Sequence, residues 1–218
     1  MKNYSQNKVE QDVIIQYIIN NNLKSGKLLD IGAFDGETFS NTRAIMENFP
    51  EWKGTLVEPS SYSFSKLLDL YDTDIDRVEL LNIAITLDTE LNTTPLLTFY
   101  ESKNSPCISS SLSEWANNHS KGTPTKKIYV GKIGMKEVLE TFGPFDFISI
   151  DVEGYSSALV MQNWFDPRNY GCKLICIESD GIDGVDGKLH IPLYEKLTNL
   201  GYVIVGRTWE NLIMGLAK

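Results

Sequence analysis

The chain has 218 residues, of which 42% are hydrophobic and 22% are charged, and its formal net charge at pH 7 is −9. This length fits one compact domain over 1–218, and the composition is that of a globular protein with no apolar run long enough to span a bilayer. The negative charge disfavours nucleic acid as a partner, because most of the surface would repel a phosphate backbone. The opening MKNYSQNKVEQD lacks the apolar core of a secretory signal, so we expect a cytoplasmic protein.

Short apolar segments alternate with helical patterns along the chain, which predicts an α/β fold with a mainly parallel sheet and helices on both faces. Within 1–24, Val9, Val13, Ile14 and Tyr17 recur at helical spacing and predict an N-terminal amphipathic helix. The next predicted elements are, in order, strand KLLDIG, helix ETFSNTRAIMENF, strand GTLVEP, helix SYSFSKLLDLY and strand VELLNIAI.

The second half of the chain begins with PLLTFYES, which predicts an additional strand or one arm of a hairpin. A polar stretch then covers about 101–127. A connection of this length in a compact domain is typically functional, so we interpret it as a substrate-facing insertion. FDFISID and CKLICIES are the next predicted buried strands, and the closing GYVIVG and NLIMGLA are expected to pair antiparallel at the edge of the sheet.

A turn rich in small residues follows the first strand, which ends at Asp30. Gly32, Ala33 and Gly36 let a ligand approach the backbone, and the helix that begins there offers unpaired amide donors. Together with Asp35, these residues form a candidate cofactor-binding turn. The spacing departs from G-x-G-x-x-G, which weighs against a dehydrogenase. An ordinary strand-to-helix turn is the alternative interpretation.

An acidic residue ends the second predicted strand. The two oxygens of Glu58 could accept hydrogen bonds from both ribose hydroxyls of an adenosine, whereas the alternative is a solvated carboxylate at a strand end. Asn82 and Ala84 end the third strand, where an adenine would lie against the edge of the sheet. Asn is also a common turn residue, which is the alternative interpretation of Asn82.

Six segments in this order, from about residue 27 to the end, give the chain a specific resemblance. They are LLDIGAFDGETF, VEPS, NIAI, SSSL, IDVEGY and CIESDG, of which IDVEGY is the most diagnostic. The chain resembles the FkbM family of methyltransferases. The resemblance implies a class I methyltransferase (Rossmann-like) fold, with a mainly parallel seven-stranded sheet and an antiparallel edge strand. It also implies S-adenosylmethionine as methyl donor and O-methylation of a hydroxyl on a sugar or other natural product.

The resemblance also implies roles for individual residues. It makes Asp30, Gly32, Gly36 and Glu58 cofactor residues and places Asp151 beside the methyl-transfer centre, with Glu153 and Gly154 in the same motif.

Three carboxylates follow two predicted strands whose carboxyl ends face the same edge of the sheet. Asp151, Glu178 and Asp180 could converge there and hold Mg²⁺, which would polarise a substrate hydroxyl. Some sugar O-methyltransferases of related fold carry a histidine base close to the first metal carboxylate. Here Val152 and Glu153 follow Asp151, so no histidine occupies that place. Whether a metal ion binds and which residue is the general base therefore stay open.

The candidate general bases are Glu153 and His190, with His119 in the insertion as a further option. A lone histidine in a loop is commonly a surface residue. Asp151 has its own alternative, which is to cap the helix that is predicted to begin near Tyr155.

Functions of different classes are compatible with these patterns. The first is an O-methyltransferase whose partner is a small-molecule or glycan hydroxyl acceptor, and the second is a non-catalytic protein that binds S-adenosylmethionine. A methyltransferase acting on RNA or a protein side chain is a third, supported by a basic stripe of Lys121, Lys126, Lys127 and Lys132. No pattern in the sequence predicts an oligomeric state.

Overall fold

A computed structural model describes residues 1–102, 109–113, 116–117, 125–179 and 190–217. The α-helices in these ranges are α1 (Lys8–Asn20), α2 (Arg43–Asn48), α3 (Ser61–Leu70), α4 (Met135–Phe142), α5 (Ser156–Met161) and α6 (Ile191–Asn199). The strands are β1 (Gly26–Ile31), β2 (Trp52–Val57), β3 (Val78–Leu81), β4 (Ala84–Thr86), β5 (Leu96–Ser102), β6 (Thr125–Gly134), β7 (Phe147–Ile150), β8 (Leu174–Glu178), β9 (Tyr202–Arg207) and β10 (Asn211–Leu216). No helix in these ranges has both the length and the apolar character that crossing a membrane requires.

The main sheet has seven strands in the order β3-β2-β1-β7-β8-β10-β9. Neighbouring strands from β3 to β8 pair in parallel, whereas β10 pairs antiparallel with both β8 and β9. The predicted parallel sheet and the predicted antiparallel pairing of the last two strands are confirmed. The last strand of the chain lies inside the sheet, and β9 forms the edge.

Both faces of the sheet are covered, as predicted. Leu28 of β1 packs with α1, α2 and α3 on one face, and the adjacent Leu29 packs with α4, α5 and α6 on the other. Phe147 and Ile148 of β7 divide in the same way. Successive side chains of a strand point to opposite faces, so a strand buried on both faces is a nearly continuous apolar segment.

The predicted N-terminal helix corresponds to α1. It begins after Asn7, whose side chain accepts a hydrogen bond from the amide of Val9, while the Glu10 side chain accepts one from the amide of Asn7. Ile14 and Ile18 are buried, but Val9 is 49% exposed and contributes little to the buried face.

The predicted helix ETFSNTRAIMENF is shorter in the structure, because α2 begins only at Arg43. Asp35 Oδ1 accepts hydrogen bonds from the amides of Glu37 (3.0 Å) and Thr38 (2.7 Å), and Phe39 has a φ of +58°. This turn gives the backbone an alternative to the first helical turn.

The predicted strand VELLNIAI is divided between two sheets. Its first half is β3 of the main sheet, and its second half is β4 of a three-stranded sheet with order β4-β6-β5. In this second sheet β4 is parallel to β6 and β5 is antiparallel to β6. The predicted additional strand PLLTFYES is therefore β5.

The predicted insertion, 101–127, overlaps the ends of β5 and β6 and contains two short described pieces, 109–113 and 116–117. The backbone of Ser110 pairs with that of Tyr100 through hydrogen bonds of 2.9 and 3.2 Å. The Ser110 hydroxyl donates to the carbonyl oxygen of Glu153 at 2.8 Å. The first described piece is thus anchored to the turn that follows β7.

Candidate active site

Gly32 brings the carboxyl ends of β1 and β7 into backbone contact. Its φ is +89°, and a Cβ at this position would lie 1.7 Å from the carbonyl oxygen of Asp151. The amides of Gly32 and Ala33 donate to the carbonyl oxygen of Val57 at 2.9 and 3.0 Å. Because any side chain would collide with the neighbouring backbone, only glycine fits this turn.

Gly36 and Asp35, which were also predicted to bind the cofactor, determine the packing and the conformation of this turn. A Cβ at Gly36, whose φ is +76°, would lie 2.5 Å from Leu67 Cδ1 of α3, so the glycine allows the turn to pack against that helix. Asp35 holds the turn through its hydrogen bonds to Glu37 and Thr38. A direct cofactor contact by Asp35 or Gly36 stays a prediction.

Glu58 lies at the carboxyl end of β2 and is only 6% exposed. Its Oε2 accepts a hydrogen bond from the amide of Phe34 (3.0 Å), and its Oε1 accepts one from the amide of Ser60 (2.7 Å). Burial raises the pKa of Glu58 to about 8, although both amides oppose the shift by stabilising the anion. A carboxylate has about four acceptor positions, so Glu58 retains capacity for a further donor.

Asp30 is a second buried carboxylate beside this turn, with 4% exposure. It accepts a hydrogen bond from the Thr42 hydroxyl at 2.6 Å. Burial raises the pKa of Asp30 to about 6, while hydrogen bonds from Thr42 and Ser149 act in the opposite direction.

An apolar pocket of about 580 Å³ opens beside Glu58. One wall comes from the second sheet and the chain leading into it, and consists of Ile83, Ala84, Ile85, Leu97 and Phe99. Of the predicted adenine contacts, Ala84 lies in this wall. Asn82 donates to the carbonyl oxygens of Glu58 (2.8 Å) and Pro59 (3.2 Å). These bonds connect the chain after β3 to the chain after β2.

A polar pocket of about 490 Å³ lies on the other side of the Gly32 turn. The two pockets share Gly32, Phe34, Asp151 and Glu153. The remaining lining of the polar pocket is Gln6, Asp30, Ala33, Thr38, Phe39, Ser40, Asn41 and Ser149. The shared residues make the two pockets adjoining parts of one cleft.

Three carboxylates meet after β7 and β8. Oxygen atoms of Asp151, Glu153 and Glu178 all lie within 4.8 Å of one another. Glu178 is 4% exposed and accepts a hydrogen bond from the Ser156 hydroxyl at 2.8 Å. Asp180, the third predicted metal ligand, lies outside the described residues, and Glu153 joins the cluster in the described part of the chain.

Glu153 reaches this cluster through an unusual backbone conformation. Its φ is +51° and that of Gly154 is +84°. The bond from the Ser110 hydroxyl to the Glu153 carbonyl oxygen holds this turn in place. Positive φ at a residue other than glycine is uncommon and concentrates at functional sites.

His190 is placed differently from Asp151 and Glu153. It precedes α6, is 6% exposed, and its Nδ1 accepts a hydrogen bond from the amide of Leu193 at 3.2 Å. Among the described residues that line the two pockets, His190 does not occur. A catalytic role for His190 stays a prediction, and His119 lies outside the described residues.

Several pocket residues were not singled out from the sequence. Phe34 lines both pockets and has a φ of +51°, while Gln6 and Asn41 line the polar pocket. Ser109 and Ser111 come from the insertion and line the apolar pocket. The SSSL segment was the available signal for these two serines. No pattern in the sequence indicated Gln6, because its position depends on the pairing of Ser5 with Phe39.

The strand order and this cleft define a class I, Rossmann-like methyltransferase fold. The precorrin-6y C5,15-methyltransferase structure from Geobacter metallireducens matches 100% of this chain and 92% of its own, with a TM-score of 0.50 and 12% identity. Fibrillarin from Aeropyrum pernix, in complex with natively bound S-adenosyl-L-methionine, has a TM-score of 0.43 at 12% identity. That match covers 87% of this chain and 65% of fibrillarin, so this chain spans just under two thirds of its length.

The family model of the methyltransferase FkbM domain matches residues 30–204. The chain therefore belongs to the FkbM family of S-adenosylmethionine-dependent methyltransferases. No curated protein matches the sequence significantly.

Proposed function

We propose that this protein is an O-methyltransferase that transfers the methyl group of S-adenosylmethionine to a hydroxyl of a sugar or related small-molecule or glycan acceptor. The observation that carries the proposal is the divided cleft, with a buried acid at one end and carboxylates at the junction of its two pockets. We also propose that 1–218 act as one methyltransferase domain. Cytoplasmic location stays a prediction from the sequence.

The apolar pocket suits the adenosine part of the cofactor. Ile83, Ile85 and Leu97 offer apolar surface to the adenine, and Glu58 offers acceptor oxygens to the two ribose hydroxyls. Gly32 leaves room for the ligand to pass close to the backbone. When bound, S-adenosylmethionine supplies an electrophilic methyl group on its sulfonium.

The carboxylates at the junction of the pockets suit activation of the acceptor. An alcohol is a poor nucleophile, so its proton must pass to a base as the new bond forms. Asp151 and Glu153 line both pockets, which supports a role for them at the acceptor hydroxyl. In the absence of a metal ion, we assign Asp151 to orienting that hydroxyl and Glu153 to accepting its proton.

A divalent cation fits the same cluster. Carboxylate oxygens are the ligands that Mg²⁺ prefers, and Asp151, Glu153 and Glu178 bring three of them together. Bound there, Mg²⁺ would make the acceptor hydroxyl more acidic. Of the basic stripe, Lys132 donates to the Thr93 hydroxyl at 2.9 Å, whereas Lys126 and Lys127 are exposed, so an RNA acceptor stays an alternative that the acceptor panel tests.

The test is transfer of labelled methyl from S-adenosylmethionine to a panel of sugars and glycans, with the product's methyl position read by NMR. We expect an O-methyl product from the wild type and a loss of about 100-fold or more in kcat for Asp151→Asn, with S-adenosylhomocysteine still bound. Undiminished turnover by Asp151→Asn would remove its assigned role. Binding without transfer to any sugar, RNA or peptide acceptor would favour the non-catalytic alternative.

The metal is tested separately by removing divalent ions with EDTA and adding Mg²⁺ back. We expect activity to fall on chelation and to return with Mg²⁺. Full activity in excess EDTA would contradict the metal site and leave the methyl-transfer proposal intact.

A further inference from the structure

The first described piece of the insertion lies against the second sheet. Ser110 exchanges two backbone hydrogen bonds with Tyr100 of β5, and the Ser109 hydroxyl accepts one from the amide of Ser102 at 3.0 Å. Of the described residues that line the two pockets, Ser109 and Ser111 belong to this piece and Ser110 does not. A role for Ser110 in the reaction must therefore be exerted through another residue.

The Ser110 hydroxyl connects this piece to the turn after β7. It donates its single hydrogen to the carbonyl oxygen of Glu153 at 2.8 Å and accepts a hydrogen bond from the amide of Leu112 at 3.0 Å. Ser110 is only 1% exposed. Because water cannot readily replace a hydroxyl that is removed from so buried a site, the Glu153 carbonyl oxygen would lose its donor.

The backbone of Glu153 depends on such support. Its φ is +51°, and Gly154 follows with a φ of +84°. A residue other than glycine adopts this conformation at a cost in free energy, and keeps it only where the surrounding contacts impose it. The hydrogen bond from Ser110 is a contact of this kind, since it is made to the backbone of Glu153 itself.

A second serine holds the other end of the same turn. Ser156 Oγ accepts a hydrogen bond from the amide of Val152 at 3.0 Å, and its hydroxyl donates to Glu178 at 2.8 Å. Ser156 thus orients the Glu178 carboxylate, whereas Ser110 bonds to the residue that carries the Glu153 carboxylate. The carboxylate cluster is therefore held from two different elements, α5 and the insertion.

The position of the Glu153 carboxylate decides what it can do. A general base must lie within hydrogen-bond reach of the proton that it accepts, and a metal ligand must lie within bonding distance of the ion. A return of Glu153 to negative φ would rotate the backbone that carries this side chain. A displacement of about 1 Å can reduce the rate of a catalysed reaction about 100-fold.

We propose that Ser110 is a positioning residue for methyl transfer, whose hydroxyl holds the Glu153 turn in its reactive conformation and so couples the insertion to the carboxylate cluster. This inference rests on the proposed function, since it takes Glu153 as a participant in activation of the acceptor hydroxyl, either as base or as metal ligand.

The experiment measures kcat for transfer of labelled methyl to the sugar acceptor that the wild type uses best, and the affinity for S-adenosylhomocysteine by calorimetry. We expect Ser110→Ala to lower kcat about tenfold or more, while its affinity for S-adenosylhomocysteine stays within about twofold of that of the wild type. The matched control is Ser102→Ala, at a serine that is 2% exposed and whose hydroxyl has no hydrogen-bond partner in the described structure. This control should leave both quantities unchanged.

A double-mutant cycle shows whether Ser110 acts through Glu153. In the Glu153→Gln background, we expect Ser110→Ala to lower kcat by less than about twofold, because misplacing a side chain that is already inactive has little further effect. A residue needed only for folding would lower kcat by the same factor in both backgrounds. Amide hydrogen exchange in 152–156 measures the anchoring itself, and we expect it to accelerate in Ser110→Ala but not in Ser102→Ala.

The outcomes separate this inference from the proposed function. Equal losses from Ser110→Ala in the two backgrounds would overturn the inference, as would unchanged kcat or unchanged exchange in a folded Ser110→Ala protein. If Ser110→Ala does not fold, Ser110→Cys takes its place in the same comparisons, because a thiol is only a weak donor. Full activity of Glu153→Gln would contradict the role that the proposed function gives to Glu153, and this inference with it. A large loss in Glu153→Gln without a loss in Ser110→Ala would overturn this inference alone.

Discussion

At the scale of single residues, Glu58 combines a predictable position with an unpredictable environment. Its place at the end of a strand indicated a contact with ribose. Its burial and the hydrogen bond from the Phe34 amide depend on the turn after β1, which folds over the end of β2. The sequence therefore identified the acid, whereas its raised pKa follows only from the assembled site.

The first prediction concerns the pH dependence of ligand binding. Ribose hydroxyls donate hydrogen bonds more strongly to a carboxylate than to a carboxylic acid. Because burial raises the pKa of Glu58 to about 8, we expect the affinity for methylthioadenosine, which has the adenosine and sulfur of the cofactor without its amino acid, to increase from pH 6.5 to pH 9. Calorimetry at several pH values measures this, and Glu58→Gln should be weaker and nearly independent of pH. A flat wild-type profile would contradict a ribose contact through the ionised acid.

The second prediction concerns stability without ligand. The pKa of Glu58 is higher in the folded state, at about 8, than its ordinary value of 4.5, so folded molecules retain a proton that unfolded ones lose. Its contribution is complete below pH 4.5 and disappears as pH rises towards 8. We expect the stability of the wild type relative to Glu58→Gln to fall by about 1 kcal/mol or more between pH 5 and pH 8. Denaturant unfolding measures the difference, and a constant difference would show that Glu58 stays ionised throughout.

At the scale of elements, the turn between β1 and α2 was predicted in kind but not in shape. Its glycines were recognised, yet the helix was predicted to begin near Glu37 and begins at Arg43. Hydrogen bonds from backbone amides to Asp35 compete with helix formation, and a hydrophobic pattern does not register them. The second sheet was missed because VELLNIAI has the pattern of one strand, whereas the chain leaves the main sheet at Asn82, whose side chain donates to the carbonyl oxygens of Glu58 and Pro59.

The third prediction tests the backbone contact at Gly32. Gly32→Ala would place a Cβ 1.7 Å from the Asp151 carbonyl oxygen, which forces β1 and β7 apart. We expect a loss of about 3 kcal/mol or more in the free energy of unfolding and loss of cofactor binding. Gly131→Ala is the matched control, since its Cβ would meet nothing closer than Ile83 Cγ1 at 3.6 Å. Similar stability of the two variants would refute the close approach.

The fourth prediction concerns residues 1–7. Because Ser5 is bonded to the backbone at Phe39 and Ser40, a ligand that fills the polar pocket should stabilise both segments together. We expect saturating S-adenosylhomocysteine to slow amide hydrogen exchange in 1–7 and 37–42 relative to the ligand-free protein. Unchanged exchange in both segments would argue against a ligand that reaches the polar pocket.

At the scale of the whole molecule, the general architecture was predictable because it depends on hydrophobic patterning. Strands buried on both faces, such as β7 and β8, are mostly apolar, with Ser149 and Glu178 as their polar members, and they alternate with amphipathic helices. The cleft was less predictable, since it is assembled from residues far apart in the chain, including Gln6, Phe99 and Glu153. Spacing along a sequence does not report such meetings, although the IDVEGY segment pointed to one of them.

The cleft also relates the two sheets to one function. The main sheet presents Asp30, Glu58 and Asp151 at the carboxyl ends of its strands, where ligands bind in open α/β sheets. The second sheet lines the pocket at that edge with apolar side chains from β4 and β5. In the proposed reaction, the main sheet provides polar contacts to the ligands and the second sheet provides apolar surface to the adenine.

The most direct test of the central claim is a calorimetric titration of the purified protein with S-adenosylmethionine. The account predicts saturable binding to the wild type, loss of that binding in Glu58→Ala, and unchanged binding in Glu79→Ala, whose side chain bonds to Thr55 away from the cleft. Absence of binding to a folded wild-type protein, with and without Mg²⁺, would contradict the account.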